Sequence, residues 1–198
     1  MEKRPKDEAD EHNSQPKVDP KPGLRLTDSP SKLDREYCFR GRMEANKPQN
    51  FEMEPFTWLG EPARRATGGI VCATRTTKES GERATPAGHP LDGNLNGTKV
   101  ERGHLIAASL HGSNLVDNIV TQYRTVDRSD VKIIEMAVAR VLDNNPGVSV
   151  LYKVRVQYAS PTAAMPAWIH IDAVGSNGFT CLAEIQNLPS GNETKTRC

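Results

Sequence analysis

The residues best equipped for chemistry lie in Glu101-Arg102-Gly103-His104-Leu105-Ile106, followed by Asn118-Ile119-Val120-Thr121-Gln122 and by Asp127 through Glu135. Together they set a histidine, an arginine, carboxylates and amides at the edges of two short apolar runs. An imidazole with a pKa near ~6.5 can take a proton from water at neutral pH, which makes His104 the candidate general base. The planar guanidinium of Arg102 can grip an oxyanion at two points and offset charge that builds there. Each residue also has a plainer use. His104 could be hydrogen-bonded within a turn, and Arg102 could sit in a surface ion pair with Glu101. Asp127 could be an N-cap, Glu135 a solvated helix position, and Asn118 part of a turn after Val116-Asp117.

Positioning these groups falls to the elements around them. Val100 and Leu105-Ile106 can be buried while Glu101, Arg102 and His104 stay polar, so residues 99–106 are expected as a strand and turn. From Ser129 to Leu142, Val131, Ile134, Val138 and Val141 fall on one face at helical spacing. A histidine on a strand beside the start of an amphipathic helix suits a metal and a base. Upstream, Gly69 to Thr74 has the β-branched and small residues of a buried strand. A turn-rich stretch over 78–98, with Gly81, Pro86, Gly88, Pro90, Gly93 and Gly97, predicts a long irregular loop of the functional sort. Downstream, Asn144-Asn145-Pro146-Gly147 stops the helix. Residues 148–158 and 166–174 then alternate apolar and polar residues at close to period two, which predicts a strand pair joined over 160–165. A short apolar run follows over 179–185, and the polar last ten residues are expected to fray.

At 198 residues the chain is long enough for one ordinary domain with length to spare. Its mean hydropathy of −0.62 is low for a compact domain, so part of the chain is expected outside the core. Residues 1–35 are rich in Lys, Glu, Asp and Pro and nearly free of large apolar groups; they predict a disordered arm or linker, with the folded domain over 36–198. The aromatic-rich stretch from Tyr37 to Leu59 is expected as the first packed piece. A formal charge of +1 neither demands nor forbids a nucleic-acid partner; a basic groove would need local clustering. No apolar run approaches the ~20 residues of a membrane span, and no signal peptide is visible at the N-terminus. Cys38, Cys72, Cys181 and Cys198 are scattered without C-x-x-C, against a zinc knuckle; reduced thiols and either one or two disulfides stay open, with three pairings for two bridges. Spacing gives no support to His12, His89, His111 or His170, expected as structural or exposed. Asp172 shares a strand face with His170 without forming a site.

Arg102-Gly103-His104 on a strand, then Asn118 and Gln122, then a helix carrying Glu135, resembles the DNA/RNA non-specific endonucleases of the ββα-metal fold. The resemblance covers about residues 70–158. Gln122-Tyr123-Arg124 and Lys132-Ile133-Ile134-Glu135 are similar to the branch found as C-terminal toxin domains of secreted bacterial proteins. The resemblance implies an α+β domain with an antiparallel sheet packed against a main helix, and a metal-dependent endonuclease. It implies cleavage of DNA, with RNA left open, little sequence preference and 5′-phosphate products. It implies His104 as base, Arg102 at the scissile phosphate, Glu135 orienting water on a divalent cation, Mg²⁺ first, and Asn118 supporting the metal or substrate. Arg75 takes the place of a further phosphate-binding arginine by position. At Asp127 the chain departs from the pattern, which usually has an asparagine as direct ligand; a carboxylate oxygen is a good hard-cation ligand too. The toxin branch further implies a cognate immunity protein, and secretion or delivery into a target cell within a larger parent. The rival readings are a catalytically degenerate nucleic-acid- or protein-binding module of the same fold, and a related HNH-type enzyme with another substrate.

Overall fold

A computed structural model of the chain describes residues 31–78, 81–190 and 194–198. Residues 1–30 of the expected arm lie outside that range. Helix α1 (Lys32–Phe39) starts at a capping box in which the Ser31 hydroxyl accepts from the Asp34 amide and the Asp34 carboxylate accepts from the Ser31 amide.

Alternating sequence becomes a large antiparallel sheet. Strands β1 (Gln49–Trp58), β2 (Glu61–Ala73), β6 (Val150–Tyr158), β7 (Pro166–Gly175), β8 (Thr180–Gln186) and β9 (Thr194–Arg197) lie in the order β1-β2-β6-β7-β8-β9. Because successive side chains point to opposite faces, the pairing of Tyr152 with Ala173 and Val154 with Ile171 makes one continuous apolar face. Val71, Ala183 and Ile185 continue that inner face, while Lys153, Arg155, His170, Asp172 and Glu184 fall on the outer one.

A second, smaller sheet packs on the inner face. It comprises β3 (Asn94–Leu95), β4 (Thr98–His104) and β5 (Ile119–Tyr123) in that order, all antiparallel. Helix α2 (Lys132–Asn144) follows β5 after a π-helical turn, Val126–Val131. Ile134, Val138 and Leu142 are buried against the core, which also takes in Val100, Leu105, Ile106, Val120 and Val131. Strands β4 and β5 and helix α2 thus form the expected ββα unit, inside an α+β fold that is mostly antiparallel. The wide turn moves the start of the regular helix from the expected Ser129 to Lys132, and its buried stripe ends on Leu142 rather than Val141.

Two covalent staples tie the periphery. Cys38–Cys72 fixes α1 to the outer face over Ile70 and Leu151. Cys181–Cys198 joins β8 to the last residue, and β9 pairs with β8 through Leu182–Arg197 and Glu184–Lys195. The expected fraying of the C-terminus is therefore corrected: Thr194 to Cys198 are held by an edge ladder and a disulfide. Among the described residues no helix is long and apolar enough to cross a membrane.

Candidate active site

Strand β4 carries the site because half of it has a free edge. Strand β3 reaches only Thr98 and Lys99, with the Val100 amide donating to Gly93 O at 2.9 Å. Beyond that point the edge opens into a cavity of about 1000 Å³ whose walls include Arg83, Glu101, Arg102, His104, Asp127 and Glu135. His89, Ser109, Arg128 and Lys132 also face it. Four of the expected site residues arrive there, Arg102 and His104 from a strand, Asp127 from a π-helical turn and Glu135 from a helix.

His104 ends β4 and is only 6% exposed. Its Nε2 lies 2.7 Å from Asn114 Oδ1, on the loop between the 3-10 turn Ala108–Leu110 and β5. Behind it, Leu105 O accepts from the Tyr152 hydroxyl, and burial followed by the charge of Glu135 holds that phenol well above its ordinary pKa. Strand β5 is itself fastened to the large sheet by Asn187, whose Oδ1 accepts from the Tyr123 amide while its Nδ2 donates to Thr121 O and Pro166 O.

Gly103 explains why the motif needs a glycine. A Cβ there would stand 2.9 Å from Asp127 Oδ1 and collide with the Gln122 amide, so the small residue lets the π-helical turn close on the strand. Asp127 is consequently half-buried beside Glu101. Burial, and then the hydrogen bond and negative charge of Glu101, push its carboxyl up to about 6. Burial acts to raise Glu101 as well, yet hydrogen bonds from Arg128 and Asp127 and the charges of Arg128 and Arg124 hold it below its ordinary value. Arg128 Nε and Nη2 grip Glu101 Oε1 at 2.9 and 2.8 Å, and Arg124 Nε approaches at 3.2 Å. No side-chain cap bond is made at the start of this turn or of α2, so the N-cap alternative for Asp127 has no counterpart here. Glu135 is 13% exposed, with Lys132 Nζ at 3.8 Å.

Arg102 lines the cavity with its guanidinium turned to the neighbouring loop. It donates to Arg83 O at 2.5 Å and to Thr85 Oγ1 at 3.4 Å, with Glu82 at 3.6 Å. Arg83 answers by donating to Arg102 O, the carbonyl exposed on the free strand edge, at 2.8 Å. The cation whose charge reaches Asp127 from that side is Arg83. Next to it, the His89 Nδ1 meets Thr121 Oγ1 at 3.0 Å, and burial together with the charge of Arg102 lowers its pKa.

Two expected residues stand elsewhere. Asn118 is completely buried and does not line the cavity: its Oδ1 accepts from the Ile106 amide, and its Nδ2 donates to Ile106 O and Ser113 O. Arg75 is exposed after β2 and is also absent from the cavity wall, its carbonyl facing His111 Nε2 at 3.0 Å. Arg83, His89 and Asn114 were missed because each belongs to an irregular loop. The one available signal was the turn-rich composition of residues 78–98.

A divalent cation can be tested against this donor set. Among the described residues no group of three or more His, Cys, Asp or Glu side chains is arranged to hold a metal, which does not fit a closed structural zinc site. Asp127 does fit an ion that keeps most of its water and takes one or two carboxylates. Its raised proton affinity marks a half-buried carboxylate short of positive charge.

A ββα unit presenting a histidine, an acid-bearing helix and a ring of cations to one open groove defines a nuclease-like architecture. The family model described as DNA/RNA non-specific endonuclease matches residues 65–173, more than half of the 198, and the chain belongs to that family. Among solved structures, NucA from Streptococcus agalactiae with no metal bound is similar over 78% of this chain and 89% of its own. Its TM-score is 0.54 and its identity 19%. The same protein with magnesium ion bound aligns over 64% of this chain and 68% of its own, with a TM-score of 0.51 and 23% identity. Sda1 nuclease with bound zinc ion is 28% identical over 46% of this chain, at a TM-score of 0.44, and the chain spans 39% of its length. No curated protein sequence matches.

Proposed function

We propose that the chain is an endonuclease that hydrolyses phosphodiester bonds of DNA, and of RNA as a second substrate, with little sequence preference and with a divalent cation, Mg²⁺ first. The observation that carries this reading is the convergence of His104, Asp127 and Glu135 on one cavity rimmed by Arg83, Arg102, Arg128 and Lys132. His104 takes the proton of the attacking water. Arg83 and Arg102, braced against each other, hold the 81–85 loop as one wall and present positive charge to the backbone phosphates. Arg128 and Lys132 supply charge from the opposite wall. Asp127, with Glu135 beside the same cavity, would hold the cation, which supplies charge neutralisation and Lewis-acid activation when bound. Formally, the wall carries four Arg or Lys side chains and four carboxyls, Glu82, Glu101, Asp127 and Glu135. A site this close to neutral attracts a polyanion poorly without an added cation.

The two disulfides support folding in an oxidising compartment, which suits export as part of a larger toxin and a cognate immunity protein in the producer. The decisive experiment incubates the full chain with supercoiled plasmid in Mg²⁺ or in EDTA, beside His104→Ala. Relaxed and linear plasmid only with Mg²⁺ and only from the unaltered chain is the expected result. Intact plasmid throughout, with DNA still bound, would return the chain to the degenerate binding module.

A further inference from the structure

We infer that the Cys38–Cys72 disulfide is a redox latch: its reduction frees α1 from the outer face of the large sheet and slackens the cavity wall at Ser109. Helix α1 has little else to hold it. Cys38 is its one buried residue, while Leu33 and Tyr37 are exposed. Phe39 and Met43 are only partly buried where they pack over Ile70 and Leu151. The ion pair from Asp34 to Lys153 Nζ, at 4.0 Å between partly exposed groups, adds little. Eight residues are also too few to persist as a helix in water without tertiary support. The place of α1 on the sheet therefore depends on the bond between the two buried sulfurs. A dithiol reductant breaks that single S–S bond, passing two electrons and two protons to leave Cys38 and Cys72 as thiols while it closes to its own disulfide.

The chain leaving α1 carries the same constraint to the cavity. Ala45 bridges to Cys72, and the Asn46 amide donates to Cys72 O at 2.8 Å. Asn46 then clasps Thr74: its Oδ1 accepts from the Thr74 amide at 2.9 Å, and its Nδ2 donates to Thr74 Oγ1 at 2.8 Å. Beyond Thr74 the segment 75–77 is tied at three points to the surroundings of the site. Arg75 O faces His111 Nε2 at 3.0 Å, the Thr76 hydroxyl donates to Asp143 Oδ1 at 2.8 Å near the end of α2, and the Thr77 amide donates to Ser109 O at 2.9 Å. Ser109 lines the cavity, in the turn that follows His104. With α1 free, the 40–47 loop loses its covalent anchor and Thr74 its clasp, which leaves the Ser109 wall less constrained. For this kinetic half the inference rests on the nuclease reading above.

The test uses the full chain carrying Cys181→Ala and Cys198→Ala, so that dithiothreitol acts on Cys38–Cys72 alone. Amide hydrogen exchange is read residue by residue beside plasmid cleavage in Mg²⁺. Cys38→Ala with Cys72→Ala, in the otherwise unaltered chain, reaches the open state without reductant. In both cases the α1 amides are expected to lose protection, and those of Thr74 and Thr77 to exchange faster, while the β6–β7 ladder stays protected. The kcat should fall by roughly tenfold, since a misplacement of about 1 Å away from the chemistry can cost up to ~10²-fold. Oxidised chain lacking only Cys181–Cys198 should keep kcat within a factor of about two. Protection of α1 that survives reduction, or full kcat once α1 is released, overturns the latch. Loss of the β6–β7 ladder together with α1 overturns it too, because the bond would then hold the whole fold. Oxidised chain that releases α1 on reduction yet never cleaves plasmid is a different failure: it removes the nuclease reading and leaves the release of α1 standing.

Discussion

The molecule places ionisable side chains in two clusters, one at the free edge of β4 and one on the outer face of the large sheet. On the outer face, charges find opposite partners: Arg155 Nη2 is 3.4 Å from Asp172 Oδ2 across β6 and β7, Lys153 Nζ is 4.0 Å from Asp34 Oδ2 on α1, and the His170 Nδ1, neutral at pH 7, is 3.9 Å from Glu184 Oε1. Cross-strand pairs of this sort are the ordinary currency of sheets. At the β4 edge the arrangement is reversed. Two carboxyls, Glu101 and Asp127, are pressed together under a glycine, and one of them holds its proton up to about 6. The difference teaches where the fold tolerates unbalanced charge. It balances charge where only packing is at stake, and leaves a half-buried acid under-compensated where a bound cation would complete it.

The largest effects should separate the clusters by what they do. His104→Ala is expected to lose at least the ~10²-fold in kcat typical of a general base, with melting temperature little changed. Asp127→Ala should abolish Mg²⁺-dependent cleavage. Asp127→Asn keeps a ligand oxygen and removes the charge pressed against Glu101, so it should stay active and melt higher than the unaltered chain at pH 8 without metal. The sign follows from the raised pKa: the ionised form is disfavoured in the fold, so stability is lost as pH rises through about 6. A lower melting temperature for the asparagine variant would break the contrast, since Asp127 would then be compensated like Asp172. His170→Ala should leave kcat within a factor of about two, because no neighbour of His170 lines the cavity.

How far the sequence foretold this depends on whether the signal was periodic or tertiary. Alternation over 148–158 and 166–174 was legible because the inner face is continuous in β6 and β7, so every second residue is apolar. The Gly103-His104 strand end and the Glu135 helix were legible for a related reason, since each has a buried face. Arg83 and Asn114 were not, because their roles come from hydrogen bonds between loops far apart in sequence. Asn118 illustrates the limit well: its type suits a ligand, and only the positions of Ile106 and Ser113 reveal that its bonds are spoken for. The pairing of the cysteines was equally beyond reach, because spacing alone does not select among connectivities. The last residues looked free for the same reason; their anchor, Cys181, lies 17 positions back.

A middle-sized effect should appear on the outer face alone and only in acid. Burial, and then the charge of Arg155, push His170 down to about 4. Its folded pKa is thus below the unfolded value, so the unfolded chain binds the extra proton first. The contribution of His170 is fully present above about 6.5 and is lost as pH falls toward 4. On the order of 1–3 kcal/mol is at stake. Melting temperatures measured at pH 7.5 and 5 should drop more steeply for the unaltered chain than for His170→Gln. Parallel slopes would mean that another group sets the acid sensitivity, and the outer face would no longer count as the balanced cluster.

The smallest expected effect is the sharpest check on which cation serves the site. Arg75 takes a phosphate-binding place by position in the sequence, whereas Arg83 takes it by geometry. Arg75 is exposed, follows β2 and does not line the cavity, and its carbonyl faces His111 Nε2. An exposed cation outside the cavity adds little to holding a phosphate there. Arg83 is braced by Arg102 O and sits within electrostatic reach of Asp127. Arg75→Ala should therefore leave both kcat and KM within about a factor of two, the scale of a surface change. Arg83→Ala should raise KM by roughly tenfold, about one charge-assisted phosphate contact. Both constants would be measured on the same plasmid substrate at matched ionic strength, because screening alone can mimic the loss of a cation. If the two variants exchange these outcomes, the substrate runs over the Ala108–Leu110 turn instead of along the 81–85 loop, and the cavity at the β4 edge marks only one end of its path.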